Sequence, residues 1–213
     1  MGLFKRNPFG HILFLKTWLI RIAGIITHRR YRSFNELHIE GSEIIRSLPD
    51  TNVLFISNHQ TYFADVVAMF HVFNASLKGR ENNIKNVLYL WNPKLNLYYV
   101  AAKETMQEGL LPRILAYAGA ITVERTWRAK GKDVTEKKEV NPNDTENIKI
   151  ALEDGWVITF PQGTTRSFKP VRKGTAHIIL QHKPIVVPIV IDGFRRSFDR
   201  KGLSIKKKGI LQS

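Results

Sequence analysis

The first long apolar stretch, residues 9–27, spaces its hydrophobic residues as a helix does. Ile12, Leu15, Leu19, Ile22 and Ile26 fall on one stripe, with Lys16, Thr17, Arg21 and Thr27 away from it and Leu13 and Ile20 intruding on the polar side. Lys16 and Arg21 cost about 5–7 kcal/mol at a bilayer centre, while about ten large apolar residues return only about 3–6 kcal/mol, so a membrane span is not favoured. With Trp18 and basic flanks, the stretch reads as a helix lying in a membrane interface, the other reading being a core helix of the domain. No small-residue cleavage site follows it, which makes it a poor cleavable signal.

Beyond it, β-type and helical blocks alternate. Residues 37–41 alternate like a short strand, and residues 52–57 form a β-rich apolar run that reads as a buried strand. Residues 65–73 begin a helix, residues 87–90 look like the next strand, residues 110–118 have helical spacing, and residues 120–123 are strand-like. A charged segment, 126–143, reads as an exposed loop. Asp144 or Thr145 can cap a helix running to Glu153. A buried strand at 156–160, a helix at 174–181 and a strand at 185–191 follow, the last with Pro188 inside it, which asks for an edge position or a bulge. The pattern predicts an α/β fold with a central mixed, partly parallel sheet flanked by helices. An amphipathic membrane-association segment, 1–33, would precede a single domain, 34–213.

Charge narrows the partners. Thirty-three Lys and Arg against eighteen Asp and Glu give +15, which favours nucleic acid, anionic lipid or phosphorylated substrates. The bases gather beside the first apolar stretch, at Lys5, Arg6 and residues 28–32, and again over residues 195–208. That company favours an anionic membrane surface over nucleic acid. Cysteine is absent, which removes disulfides, thiolate metal sites and a Cys nucleophile. His177 and His182 match no metal-ligand spacing, so no metal is expected. No Gly-rich nucleotide loop or Gly-x-Ser-x-Gly elbow is present.

His59 and Asp65 follow the strand 52–57 directly, where α/β proteins place their chemistry, and could supply a base with its orienting carboxylate. Taken alone, the pair reads equally well as a surface His beside a helix-capping Asp.

Four ordered segments add to this. Residues 58–65, Gly119-Ala120-Ile121-Thr122-Val123-Glu124-Arg125, Phe160-Pro161-Gln162-Gly163-Thr164 and Val187-Pro188-Ile189-Val190-Ile191 together resemble the glycerolipid acyltransferase family, over roughly residues 50–192. The first resembles its His-x4-Asp motif, and Lys103-Glu104 resembles a Lys-Glu pair between the first two. The resemblance implies an O-acyltransferase with His59 and Asp65 as its catalytic dyad. The acyl group would come from acyl-CoA or acyl carrier protein, with no other cofactor, and go to a lysolipid hydroxyl, 1-acylglycerol 3-phosphate first among them. Asn58, Lys103, Arg125, Gln162, Gly163, Thr164, Thr165 and Arg166 become candidate substrate-binding residues. The third segment departs from the family's Phe-Pro-Glu-Gly-Thr-Arg: Gln162 stands for Glu and Thr165 for Arg, with Arg166 one place later. That leaves another lysophospholipid or a lyso-aminolipid open as acceptor. The contrasting class is a non-catalytic basic membrane- or RNA-binding protein. The cytoplasmic face of a membrane, held peripherally, is the expected location. The family usually continues beyond the point where Lys206-Lys207-Lys208 nears the end, which points to a shortened chain.

Overall fold

A computed structural model describes residues 4–107, 109–123 and 142–212. The loop expected at 126–143 falls outside these up to residue 141. The main sheet contains β2 (Val53–Ser57), β3 (Leu97–Ala102), β4 (Ala120–Val123), β5 (Trp156–Thr159) and β6 (Ile185–Ile189), while β1 (Glu36–His38) pairs separately with β7 (Ile210–Gln212). The spatial order is β4-β3-β5-β2-β6, and every pairing is parallel. The expected α/β class holds, but the sheet is wholly parallel rather than mixed. Helices explain this: α2 (Ala64–Leu77) follows β2, α3 (Lys103–Gln107) and α4 (Leu110–Tyr117) follow β3, α5 (Pro142–Asp154) precedes β5, and α6 (Lys173–His182) precedes β6. Such crossovers return the chain to the same end of the sheet.

Both faces of the sheet are covered, so its central strands are apolar throughout; Val53, Leu54 and Phe55 have no exposed surface. On one face Phe55 stacks on Phe73 of α2, with ring centroids 4.3 Å apart, and meets Trp156 at 5.4 Å. On the other, Leu54, Tyr98 and Val157 pack on Ile148 and Leu152 of α5 and Ile178 of α6. β6 is an edge strand, which its Pro188 requires, since proline has no N–H to give a second neighbour.

Residues 87–90, expected as a strand, form part of a 3₁₀ turn, Val87–Trp91. Asn86 caps it by accepting from the Leu88 amide at 3.2 Å, and Tyr89 and Leu90 turn inward while Leu88 and Trp91 stay exposed. The strand that fills this place in the sheet is β3, a few residues later.

The helix α1 (Leu13–Arg29) packs on the domain through Lys16, Ile20 and Gly24. Hydropathy alone puts Lys16 on the solvent side; the structure turns it fully inward. Small residues decide this. A Cβ on Gly24 would fall 2.1 Å from Leu90 Cδ1, so the helix seats where it has least bulk. Thr27 Oγ1 lies 3.0 Å from His71 Nε2, and His71 Nδ1 lies 2.7 Å from the Tyr89 hydroxyl. After α1 a π-type turn, Arg30–Phe34, buries Tyr31, whose hydroxyl donates to the Ala64 carbonyl at 2.9 Å. The opposite face of α1 leaves Phe14, Leu15, Trp18, Ile22, Ile25 and Ile26 exposed. Among the described residues no helix is long and apolar enough to cross a membrane.

Candidate active site

β2 ends at Ser57 on the carboxyl edge of the parallel sheet, and a tight loop leads into α2, with Asp65 in its first turn. Five residues separate His59 from Asp65, one more than the His-x4-Asp pattern has. The loop absorbs the extra residue. His59 Nδ1 lies 2.9 Å from Asp65 Oδ2, which also accepts from the amides of Gln60 at 2.6 Å and Thr61 at 3.0 Å. Asp65 Oδ1 accepts from the Thr61 hydroxyl at 2.7 Å. Donors therefore surround a carboxylate with no exposed surface, at the positive end of a helix. The outer side of the loop is pinned too: the amides of Tyr62 and Phe63 donate to the carbonyls of Arg200 and Lys201, at 3.1 and 2.9 Å. Gly202 lets that strap approach, because a Cβ there would come 2.5 Å from the Ala64 nitrogen, and its φ of +77° suits glycine.

A carboxylate only accepts, so the His59–Asp65 contact puts the imidazole proton on Nδ1 and leaves Nε2 as a base. The imidazole lies against Phe160, rings 3.9 Å apart and 20° from parallel. Phe160 stands just beyond β5, so the first and third sequence segments meet as two stacked rings.

Both rings line a cavity of about 660 Å³ at the carboxyl edge of β3 and β5. Val66, Tyr99, Met106 and Ile148 supply apolar wall, while Thr159, Thr164, Thr165, Arg172, Thr175 and His177 add polar groups. The size is within the usual range for small-molecule sites, roughly 300–1,000 Å³. Burial, then the charge of Asp65, pushes the Tyr31 phenol far above its ordinary range, which keeps it an O–H donor to the start of α2.

The residues singled out in the sequence go to different places. Gly163, Thr164 and Thr165 line the cavity with His59. Asn58 instead clamps the backbone: its amide donates to the Ile191 carbonyl and its oxygen accepts from the Ile191 amide, both at 2.8 Å. Gln162 is off the cavity wall, its amide donating to the Lys169 carbonyl at 2.9 Å, and Arg166 is exposed and off the wall as well. Lys103 begins α3, exposed, while Thr105 and Met106 of that helix reach the cavity. Arg125 lies outside the described residues. The sequence reading overlooked Arg172 and His177. Arg172 belongs to none of the four ordered segments, and only the return of the chain along the Phe160 turn, where its amide donates to the Pro161 carbonyl, brings it to the cavity; the spacing of His177 from His182 bears on metals instead.

The Acyltransferase family model matches residues 36–192, which include the whole His59–Asp65–Phe160 arrangement. No curated protein matches this chain in sequence. Among solved structures the chain is similar to the 1-acyl-sn-glycerophosphate (LPA) acyltransferase PlsC from Thermotoga maritima, at 16% identity and a TM-score of 0.51. That similarity covers 94% of this chain and 66% of the PlsC chain, so the chain spans just under two thirds of that structure's length. At this identity the likeness speaks for the fold; the family rests on the sequence match. With a family model matched over well more than half its length, this chain belongs to the acyltransferase family.

Proposed function

We propose that the chain moves a fatty acyl group from an acyl thioester, of coenzyme A or acyl carrier protein, to a lysolipid hydroxyl, with 1-acylglycerol 3-phosphate as acceptor. The observation that carries this reading is the His59–Asp65 pair, 2.9 Å apart, with His59 on the wall of a cavity of small-molecule size. Nε2 of His59 takes the acceptor's hydroxyl proton as its oxygen attacks the thioester carbonyl. The tetrahedral intermediate collapses, the C–S bond breaks, and the leaving thiolate takes the proton back from the imidazolium. Asp65 holds the imidazole in the required tautomer and stabilises its charged form. The acceptor is its own nucleophile, so no acyl-enzyme forms.

We place the enzyme peripherally on the cytoplasmic face of the membrane. The exposed apolar side of α1 carries Trp18, whose ring lies 5.1 Å from the Arg21 guanidinium, which also lies 4.6 Å from the exposed Trp91 ring. Such aromatic–basic groupings suit a headgroup region, and a +15 chain suits an anionic leaflet.

A second reading keeps the chemistry and changes the acceptor to another lysophospholipid or a lyso-aminolipid. It is favoured by Gln162 and Arg166, which leave the cavity wall without the charges of the family's third segment. The test supplies acyl-CoA or acyl carrier protein thioester with lysophosphatidate, zwitterionic lysophospholipids and lyso-aminolipids, and follows thiol release and product by mass. Transfer to at least one acceptor is expected, with loss of about 10³-fold or more in kcat for His59→Ala. Unchanged turnover in that variant refutes the mechanism.

A further inference from the structure

In the family's pattern the third segment ends in an arginine; here Thr165 occupies that position, and Arg166 is exposed and does not line the cavity. Thr165 is buried, and its carbonyl accepts from the Arg195 guanidinium, so this part of the turn is fixed by a residue from beyond β6. A cation nevertheless reaches the cavity from a few residues downstream. The Arg172 amide donates to the Pro161 carbonyl at 3.0 Å, laying residues 170–172 back along the turn that follows Phe160. That turn is tight: the Gly163 amide donates to the Phe160 carbonyl at 2.8 Å, and Gly163 has φ +59°. The Arg172 side chain crosses its face, since a Cβ on Gly163 would come 3.3 Å from both Cζ and Nε of the guanidinium.

Among the described residues that line the cavity, Arg172 is the one Lys or Arg; Asp144 is the one carboxylate, and His59 and His177 are the imidazoles. Arg172 also immediately precedes α6, which starts with no side-chain cap, and Gly174 and Thr175 of its first turn line the same cavity. Arg172, the three threonines Thr164, Thr165 and Thr175 and the first turn of α6 therefore line one space. That donor set suits a phosphomonoester, whose several oxygens can accept from a planar guanidinium and amides together.

We propose that Arg172 is the residue that binds the acceptor's phosphate in this chain. The inference rests on the acyl-transfer reading and deepens it. It orders the site along a short path: His59 stacks on Phe160, Phe160 leads into Pro161, and Pro161 holds the Arg172 backbone. An acceptor gripped by Arg172 at its phosphate would bring its glycerol hydroxyl towards Nε2 of His59.

The test compares wild type, Arg172→Gln and Arg172→Lys with lysophosphatidate and with a zwitterionic lysophospholipid, using one acyl-CoA. For lysophosphatidate Arg172→Gln should raise KM by about 10- to 100-fold, the loss expected for charge-assisted hydrogen bonds, with Arg172→Lys between the two. KM for acyl-CoA and for the zwitterionic acceptor should stay within about 3-fold of wild type, a spread well under one hydrogen bond. An unchanged lysophosphatidate KM overturns the assignment. A rise confined to the acyl-CoA KM also overturns it, because the phosphate recognised would then be the donor's. Direct binding of lysophosphatidate, read by tryptophan fluorescence in the same proteins, needs no turnover. Affinity lost in Arg172→Gln supports the phosphate site even if wild type transfers to no acceptor, an outcome that would instead defeat the acyl-transfer reading; equal affinity overturns the site.

Discussion

Replacing Lys16 with Met should make the protein more stable at neutral pH. The ammonium is fully buried in the seat of α1, and its Nζ has no hydrogen-bond partner among the described residues. What it has is the Tyr98 ring, 4.8 Å away, and the charge of Asp154, which accepts from the Tyr98 hydroxyl. Burial dominates: it brings the Lys16 pKa from 10.5 down to about 8, against the pull of Asp154. The unfolded chain then holds a proton between pH 8 and 10.5 that the folded chain lacks, so stability rises with pH across that window. Below pH 8 both states are charged and the full burden remains. Two and a half units amount to about 3 kcal/mol. Met keeps the length and loses the charge; it also forfeits a cation–π contact worth about 0.5–2 kcal/mol. A net gain of about 1–2.5 kcal/mol at pH 7 follows, shrinking towards zero or below by pH 10.5. Urea unfolding followed by the fluorescence of the four tryptophans, at several pH values, measures it. A Lys16→Met protein that is less stable than wild type at pH 7 would refute the reasoning, since attraction to Tyr98 and Asp154 would then outweigh desolvation.

Other outcomes follow from the site and its supports. Phe160→Leu should leave the fold intact and lower kcat more than KM, because the imidazole loses its stacking plane; circular dichroism and steady-state kinetics separate the two, and unchanged kcat would deny the stack a role. Gly202→Ala forces a Cβ to within 2.5 Å of the Ala64 nitrogen at φ +77°, so it should cost about 1–3 kcal/mol in stability and reduce kcat, checked by urea unfolding and turnover. His71 is buried with its pKa lowered to about 3, by desolvation and then the nearby His28. It binds a proton in the unfolded chain first, so stability should fall as pH drops from 6.5 towards 3, and His71→Gln should flatten that slope by about one proton. Leu15→Glu with Ile22→Glu changes only exposed positions and should release the protein from anionic vesicles in a sedimentation assay; retained binding would argue against α1 as the contact.

The strands that are apolar on both faces were legible in the sequence, because burial on two sides leaves a continuous run such as residues 53–56. β3 was not: Tyr98 and Tyr99 carry hydroxyls that earn hydrogen bonds with Asp154 and the Leu115 carbonyl, and the more apolar 87–90 drew the assignment instead. On α1 the apolar stripe was legible, since Leu15, Ile22 and Ile26 are exposed together, but the side that seats on the domain was not, because hydropathy sends Lys16 to solvent; Gly24 was the local clue. The spacing of His59 and Asp65 could be read, but their convergence depends on a strap from residues 200–202 that no local pattern announces. Arg172 was hidden for the same reason, its place set by one backbone bond to Pro161.

The order β4-β3-β5-β2-β6 has a consequence for how the chain comes together. β2 and β3 never touch; β5 lies between them and arrives after both in the chain. During synthesis, the half carrying His59 and the half carrying β3 and β4 each wait with an unsatisfied apolar edge until residues 156–159 are made. β5 then joins the halves and in the same step delivers Phe160 to the His59 ring. Regain of activity on refolding should therefore report closure of the middle of the sheet, later than the helical signal, and chaperone dependence should concentrate in nascent chains that stop short of β5.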